Sequence, residues 1–195
     1  MTKLGWTILT LIVLSVLAFG SMLSFGPGNG PSPVARMKAR FEKATPNDLG
    51  LVIPVAGVAR ASLVDTWGAP RGGGTRHHEA VDIMAPGGAP VVAAAAGTVE
   101  KLFQSDAGGI TAYVRSPSRG WVYYYAHLSG YAPGLAEGKR LAAGDPVGFV
   151  GDTGNAGPGN THLHFGVSRM RAGDGWWGGE PVNPYPLLAG KASPR

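Results

Sequence analysis

Apolar and polar positions divide the chain into three regimes. From Leu4 to Phe25 no residue carries a charge, and Lys3 stands just before the run. A helix of those 22 residues reaches ~33 Å, enough to cross a hydrocarbon core. Two membrane signals have this form, a cleaved signal peptide and an uncleaved anchor. Ala18-Phe19-Gly20 offers a small-x-small cleavage site, but the run continues through Met22 and Leu23, which favours the anchor. The charge flanking the run is divided between Lys3 and the later Arg36, Lys38, Arg40 and Lys43. Orientation therefore rests on the bulk of the chain following the helix and being exported.

Gly26 to Pro33 is rich in glycine and proline and reads as a linker, and Val34 to Lys43 as a short surface helix. From Leu51 onward the pattern becomes short apolar runs punctuated by glycine and proline. Residues 51–55, 90–96, 97–103, 110–115, 122–126, 146–150 and 163–167 are each strand-length with a β-branched or aromatic bias. Glycine-rich breaks separate them, among them Gly72-Gly73-Gly74 and Gly108-Gly109. The expected fold is mainly β, an antiparallel sheet domain behind an N-terminal membrane or signal helix. The division is 1–27 for the signal or anchor helix, 28–50 for the linker, 51–190 for the β domain and 191–195 for a flexible tail.

Composition sharpens this picture in two ways. No cysteine is present, so lipoprotein attachment is excluded and any metal must be held by imidazole and carboxylate. The net charge of +5 suits an anionic setting, but the basic residues form no dense run, so a solvated basic surface explains it and nucleic acid is not called for.

All five histidines fall in or beside three short segments: His77-His78-Glu79-Ala80-Val81-Asp82, Tyr125-Ala126-His127-Leu128 and His162-Leu163-His164. On a strand His162 and His164 face the same side, so one can ligate a metal while the other stands beside it. His78 and Asp82 lie ~13 Å apart on straight strand, too far to share an ion, so the chain must bend, with small Ala80 as the expected turn. Two imidazoles and a carboxylate with a fourth place for water is a known arrangement for catalytic zinc, suited to amide hydrolysis. Imidazole favours zinc over magnesium. His77 should point elsewhere, Glu79 should be solvated, and Trp67, Trp121, Trp176 and Trp177 read as core or groove wall.

These residues resemble the lysostaphin-type, or LytM-domain, zinc endopeptidases, which cut peptide cross-bridges in bacterial peptidoglycan. The resemblance runs from about Leu51 to Val167. It rests on His78-Glu79-Ala80-Val81-Asp82-Ile83-Met84-Ala85-Pro86, Tyr125-Ala126-His127-Leu128, Gly144-Asp145-Pro146-Val147-Gly148 and Thr161-His162-Leu163-His164-Phe165, in the family's order. It implies zinc ligands at His78, Asp82 and His164. It also implies a catalytic pair, His127 and His162, one acting as base and the other stabilising the oxyanion, with the division between them open. Ala80 replaces the family's usual glycine, and Gly166 stands where glutamate often follows the phenylalanine. The implied partners are peptidoglycan peptide stems or cross-bridges and, through the N-terminal helix, the cytoplasmic membrane. The implied location is extracytoplasmic. Some proteins of this fold have lost ligands and act as non-catalytic regulators of other wall hydrolases; here the ligand set is complete.

Overall fold

The computed structural model describes residues 51–190. The apolar run at 4–25, the linker and short helix before Leu51, and the tail at 191–195 lie outside the described residues. Among the described residues no helix is long and apolar enough to cross a membrane.

A short hairpin of β1 (Pro70–Arg71) and β2 (Arg76–His77) precedes the main sheet. The sheet contains β3 (Val81–Met84), β4 (Pro90–Val92), β5 (Gly97–Ser105), β6 (Gly109–Arg115), β7 (Trp121–Tyr131), β8 (Arg140–Leu141), β9 (Pro146–Val150), β10 (His162–Arg169) and β11 (Glu180–Val182). A single helical turn and a half, α1 (Pro184–Ala189), follows; Asn183 caps it by accepting from the Tyr185 N–H, and Pro184 occupies its first position, where no N–H is needed. The strands run in the order β11-β10-β7-β6-β5-β8, with β3 added on β10, β9 on β7 and β4 on β9. Every pairing is antiparallel, as the pattern of short runs and tight turns predicts.

Alternation decides what each strand buries. On β10 Leu163, Phe165 and Val167 enter the core, so His162 and His164 take the other face. Tyr125 of β7 stacks against Phe165 at 5.3 Å and uses its hydroxyl to accept the buried Ala94 N–H. Val81, Val91, Val99, Val114, Leu128 and Leu163 complete the centre, all fully buried.

Three expectations change. Residues 51–55 form no strand: Val55 bridges Val91 in isolation and Val52 donates to Ala94 O, while Pro54, having no N–H, breaks the ladder between them. The run 90–96 is strand only to Val92, after which Ala93 exchanges hydrogen bonds with the Gly144-Asp145 turn. Trp177 is neither core nor wall but 69% exposed, whereas Trp176 does pack, edge-on to Tyr113 and against Phe103. β3 itself is absent from the runs the pattern selects, because Asp82 interrupts its apolar sequence.

Candidate metal centre and active site

A bend at Ala80 turns a four-residue spacing into a contact: His78 Nε2 lies 3.1 Å from Asp82 Oδ1. Ala80 makes that bend at ordinary φ, since among the described non-glycine residues only Arg119 and His127 have positive φ. The absence of the usual glycine is therefore not a strain. Asp82 also stands directly opposite His164 in the β3–β10 ladder, and facing residues on antiparallel strands hold their side chains together on one face. His164 Nδ1 consequently lies 3.1 Å from Asp82 Oδ1 and 3.0 Å from His78 Nε2.

These three atoms make a nearly equilateral triangle, and together they are a group that could hold a metal ion. Tetrahedral zinc, with bonds of 2.0–2.2 Å to such donors, spaces its ligand atoms roughly 3.3 Å apart, close to what the triangle offers. Protonation points the same way. His78 donates its Nδ1–H to the Thr66 carbonyl at 2.8 Å, so its Nε2 presents a lone pair to a carboxylate oxygen. Two lone pairs that close repel each other unless a cation stands between them. The donor set fits zinc.

Residues before the motif brace this triangle, and the sequence did not single them out. The Thr66 hydroxyl accepts the Asp82 N–H at 2.9 Å, while Arg71 donates from Nη2 to Asp82 Oδ2. Backbone bonds from Gly68 N to His78 O and from His78 N to Ala69 O zip the segment alongside the ligand strand. The available signal was the Gly72-Gly73-Gly74 break, which folds the preceding residues back over His78. His77, by contrast, is exposed, with Nδ1 3.3 Å from Gly68 O, and Glu79 is exposed as well.

The remaining two imidazoles flank the triangle. The His127 ring centroid lies 4.9 Å from that of His162 and 5.5 Å from that of His164. His162 comes from alternation on β10, but His127 does not come from alternation on β7. The β6–β7 register passes from Ile110↔Leu128 to Ala112↔Tyr125, so one extra residue is inserted on β7 and His127 takes φ 59°. This bulge turns His127 toward the site although its neighbour Leu128 is buried in the core. A non-glycine residue held in this region is a local strain.

Both rings are oriented through Nδ1. His162 donates to Asn160 O and His127 to Thr153 O, each at 2.8 Å. The Thr153 loop is seated by a close approach of two glycines: a Cβ on Gly109 would lie 2.1 Å from Thr153 Oγ1, and one on Gly154 would lie 2.2 Å from Gly109 N. Thr153 Oγ1 then donates to Leu128 O and accepts from Ile110 N, tying the loop to both sides of the bulge. With Nδ1–H committed, each neutral ring leaves Nε2 as its free proton acceptor.

Burial pushes His127 down to about 4, with His164 and His162 adding to the shift and the Thr153 carbonyl opposing it. Burial likewise holds His164 below its usual value, against Asp82, which favours the charged form. For Asp82 burial acts upward, yet His164 and His78 in their protonated forms, through hydrogen bonds and charge, outweigh it and hold the carboxyl far below the usual carboxylate range. At neutral pH the site thus presents one carboxylate and a neutral His127 and His164. Tyr124 packs edge-on to His164 at 5.9 Å, and burial together with Tyr113 raises its phenol well above the usual range, so it stays protonated. Gly166, across the ladder from Tyr124, leaves that ring room: a Cβ there would touch it at 3.5 Å.

Comparison with known proteins agrees with this geometry. Residues 76–184 match peptidase family M23. The chain is 36% identical over 133 residues to the L-Ala–D-Glu endopeptidase of Bacillus subtilis, covering 65% of this chain and 39% of that protein. It is 37% identical over 124 residues to the DD-carboxypeptidase/endopeptidase Mpg of Neisseria meningitidis, covering 63% of this chain and 23% of that protein. The chain thus spans well under half the length of either relative. Among solved structures, the catalytic domain of the antimicrobial peptidase lysostaphin from Staphylococcus simulans aligns with a TM-score of 0.54 at 26% identity, over 63% of this chain and 88% of that one.

Proposed function

Given that the chain belongs to peptidase family M23, we propose that it is a zinc-dependent endopeptidase that hydrolyses peptide bonds in the stems or cross-links of bacterial peptidoglycan. The observation that carries this reading is the triangle of His78 Nε2, Asp82 Oδ1 and His164 Nδ1 with two further imidazoles beside it. The names of the relatives support the substrate: one is an L-Ala–D-Glu endopeptidase and another a DD-carboxypeptidase/endopeptidase. Peptidoglycan lies outside the cytoplasmic membrane, so the domain at 51–190 acts there.

His78, Asp82 and His164 would hold the ion. Zinc in such a site supplies Lewis-acid chemistry, acidifying water and polarising a carbonyl. His127 and His162 do the proton work at Nε2. A neutral imidazole there accepts the proton of the attacking water, and a protonated one donates to the oxygen on which charge develops or to the leaving amine. Their Nδ1–H bonds to Thr153 and Asn160 carbonyls fix ring orientation and keep Nε2 as the working atom. Burial keeps His127 neutral at physiological pH, the state a base requires.

The test is digestion of purified peptidoglycan by the zinc-loaded full chain, with mass analysis of the released fragments. Wild type should release fragments with new amino termini at a peptide bond, and His127→Ala and His162→Ala should retain zinc and release none. A wild type that binds zinc and peptidoglycan but frees no fragment would move the chain to the non-catalytic regulators of this fold.

A further inference from the structure

Arg71 stands at the border of the metal centre and an open cavity. Its guanidinium reaches Asp82 Oδ2, and among the described residues that side chain has no other hydrogen-bond or ion-pair partner. A guanidinium carries five N–H donors in a rigid fork, so most of its donor capacity is unspent. The side chain is 44% exposed, held at the end of β1 by its pairing with Arg76.

The cavity gives the unspent donors a direction. Its volume is about 450 Å³, and Arg71, Leu63, Val64, Met84, Asn160 and His162 line it. Asp82 lines it too, so it opens directly on the proposed ligand set. Val64 and Met84 are 63% and 62% exposed, two of the few large apolar side chains left in solvent. One end is therefore cationic and polar, and the walls are apolar. Asp82 Oδ2 engages only Nη2 of the guanidinium, so although the ion pair offsets part of the charge, the remaining N–H donors stay available to an acceptor in the cavity.

We propose that this cavity is a substrate subsite in which Arg71 binds a free carboxylate on the residue next to the scissile bond. The inference rests on the peptidase reading for its substrate class. Its physical content is independent: an anion of peptide size with an apolar flank, recognised by the charge-assisted bonds that a guanidinium makes best. A site built to hydrogen-bond one group rejects the analogue lacking it, because the site's donors are then left unpaired. The carboxamide of the same peptide keeps its size but loses its charge and presents N–H groups to N–H groups.

The experiment uses matched synthetic peptides identical except for a carboxylate or a carboxamide on the residue beside the bond that is cut. They are titrated calorimetrically into the zinc-loaded full chain and assayed for cleavage, with wild type, Arg71→Met and Arg71→Lys. Wild type should prefer the carboxylate peptide by roughly 10–100-fold, the worth of one charge-assisted bond or two. Arg71→Met should lose that preference, binding the two peptides alike, and Arg71→Lys should keep part of it; each variant is loaded with zinc to the wild-type content before titration. Equal affinity of wild type for acid and amide overturns the proposal, as does a zinc-loaded Arg71→Met variant that keeps the wild-type preference for the carboxylate, which would leave Arg71 a brace for Asp82 alone. Preferential binding of the carboxylate peptide without cleavage by wild type would leave the subsite standing and sink the peptidase reading instead.

Discussion

Asp82 and His164 are directly opposed residues on neighbouring antiparallel strands, and their side chains meet at 3.1 Å between Oδ1 and Nδ1. Two of the three donors are therefore placed by strand register. A slip of either strand by one residue would send its own member of the pair to the buried face, so the core residues Val81, Ile83, Leu163 and Phe165 enforce the site by enforcing the register. Asp82→Asn keeps the shape and the pairing but removes the charge that offsets the ion. The variant should fold with the wild-type far-UV spectrum and fail to retain stoichiometric zinc on gel filtration, as metal analysis of the eluted protein will read.

Thr66 braces both His78 and Asp82 from one residue, through its carbonyl and its hydroxyl respectively. Partners of this kind typically contribute 10–100-fold to metal affinity. Thr66→Val, which keeps the carbonyl and removes the hydroxyl, should weaken zinc binding about 10-fold in competition with a chromophoric chelator. Thr66→Ser should bind as wild type does. Equal loss in both would mean that the hydroxyl is not the group that matters.

His127 sits at φ 59°, where a Cβ costs energy and glycine does not. His127→Gly and His127→Ala both remove the imidazole and should both be inactive on peptidoglycan. They should differ in stability, with the glycine variant more stable by ~1 kcal/mol in urea unfolding. An alanine variant at least as stable as the glycine variant would contradict the strained bulge.

Burial moves His127 from the usual 6.5 to about 4, which keeps its imidazole neutral at physiological pH. In zinc-saturated protein the acid limb of kcat/KM should accordingly fall below pH 6, beneath the ordinary histidine range; a limb centred at 6.5 would contradict this. Stability follows with a definite sign. Between pH 6.5 and about 4 the unfolded chain binds a proton at this position that the folded chain does not, so stability is full above 6.5 and declines as pH falls through that window. Asp82, depressed far below 3.8, adds a further decline below that value.

Much of this was legible from the residues alone. His162-Leu163-His164 declares its shared face by alternation, and His78 to Asp82 declares a bend by being too far apart to meet otherwise. The antiparallel sheet followed from short β-branched runs between glycines. The rest carried little local signal beyond the Gly72-Gly73-Gly74 break. The strand Val81–Met84 is masked by the very aspartate that serves the site. The inward aim of His127 depends on an inserted residue visible only in the pairing of β6 with β7, and on the Gly109 and Gly154 contact that seats Thr153. Thr66 and Arg71 are ordinary residues until the hairpin lays them over the ligands, and Leu51 to Val55 reads as strand until its proline withholds an N–H.

The most direct test of the whole account is a zinc titration of the metal-stripped full chain against a competing chelator, run in parallel on wild type and His164→Ala. Wild type should take up one zinc per chain, released at acid pH, and His164→Ala should take up none at the same chelator strength. A wild type that binds no zinc, or a His164→Ala variant that binds it as tightly, would contradict the convergence of residues 78, 82 and 164 on one ion.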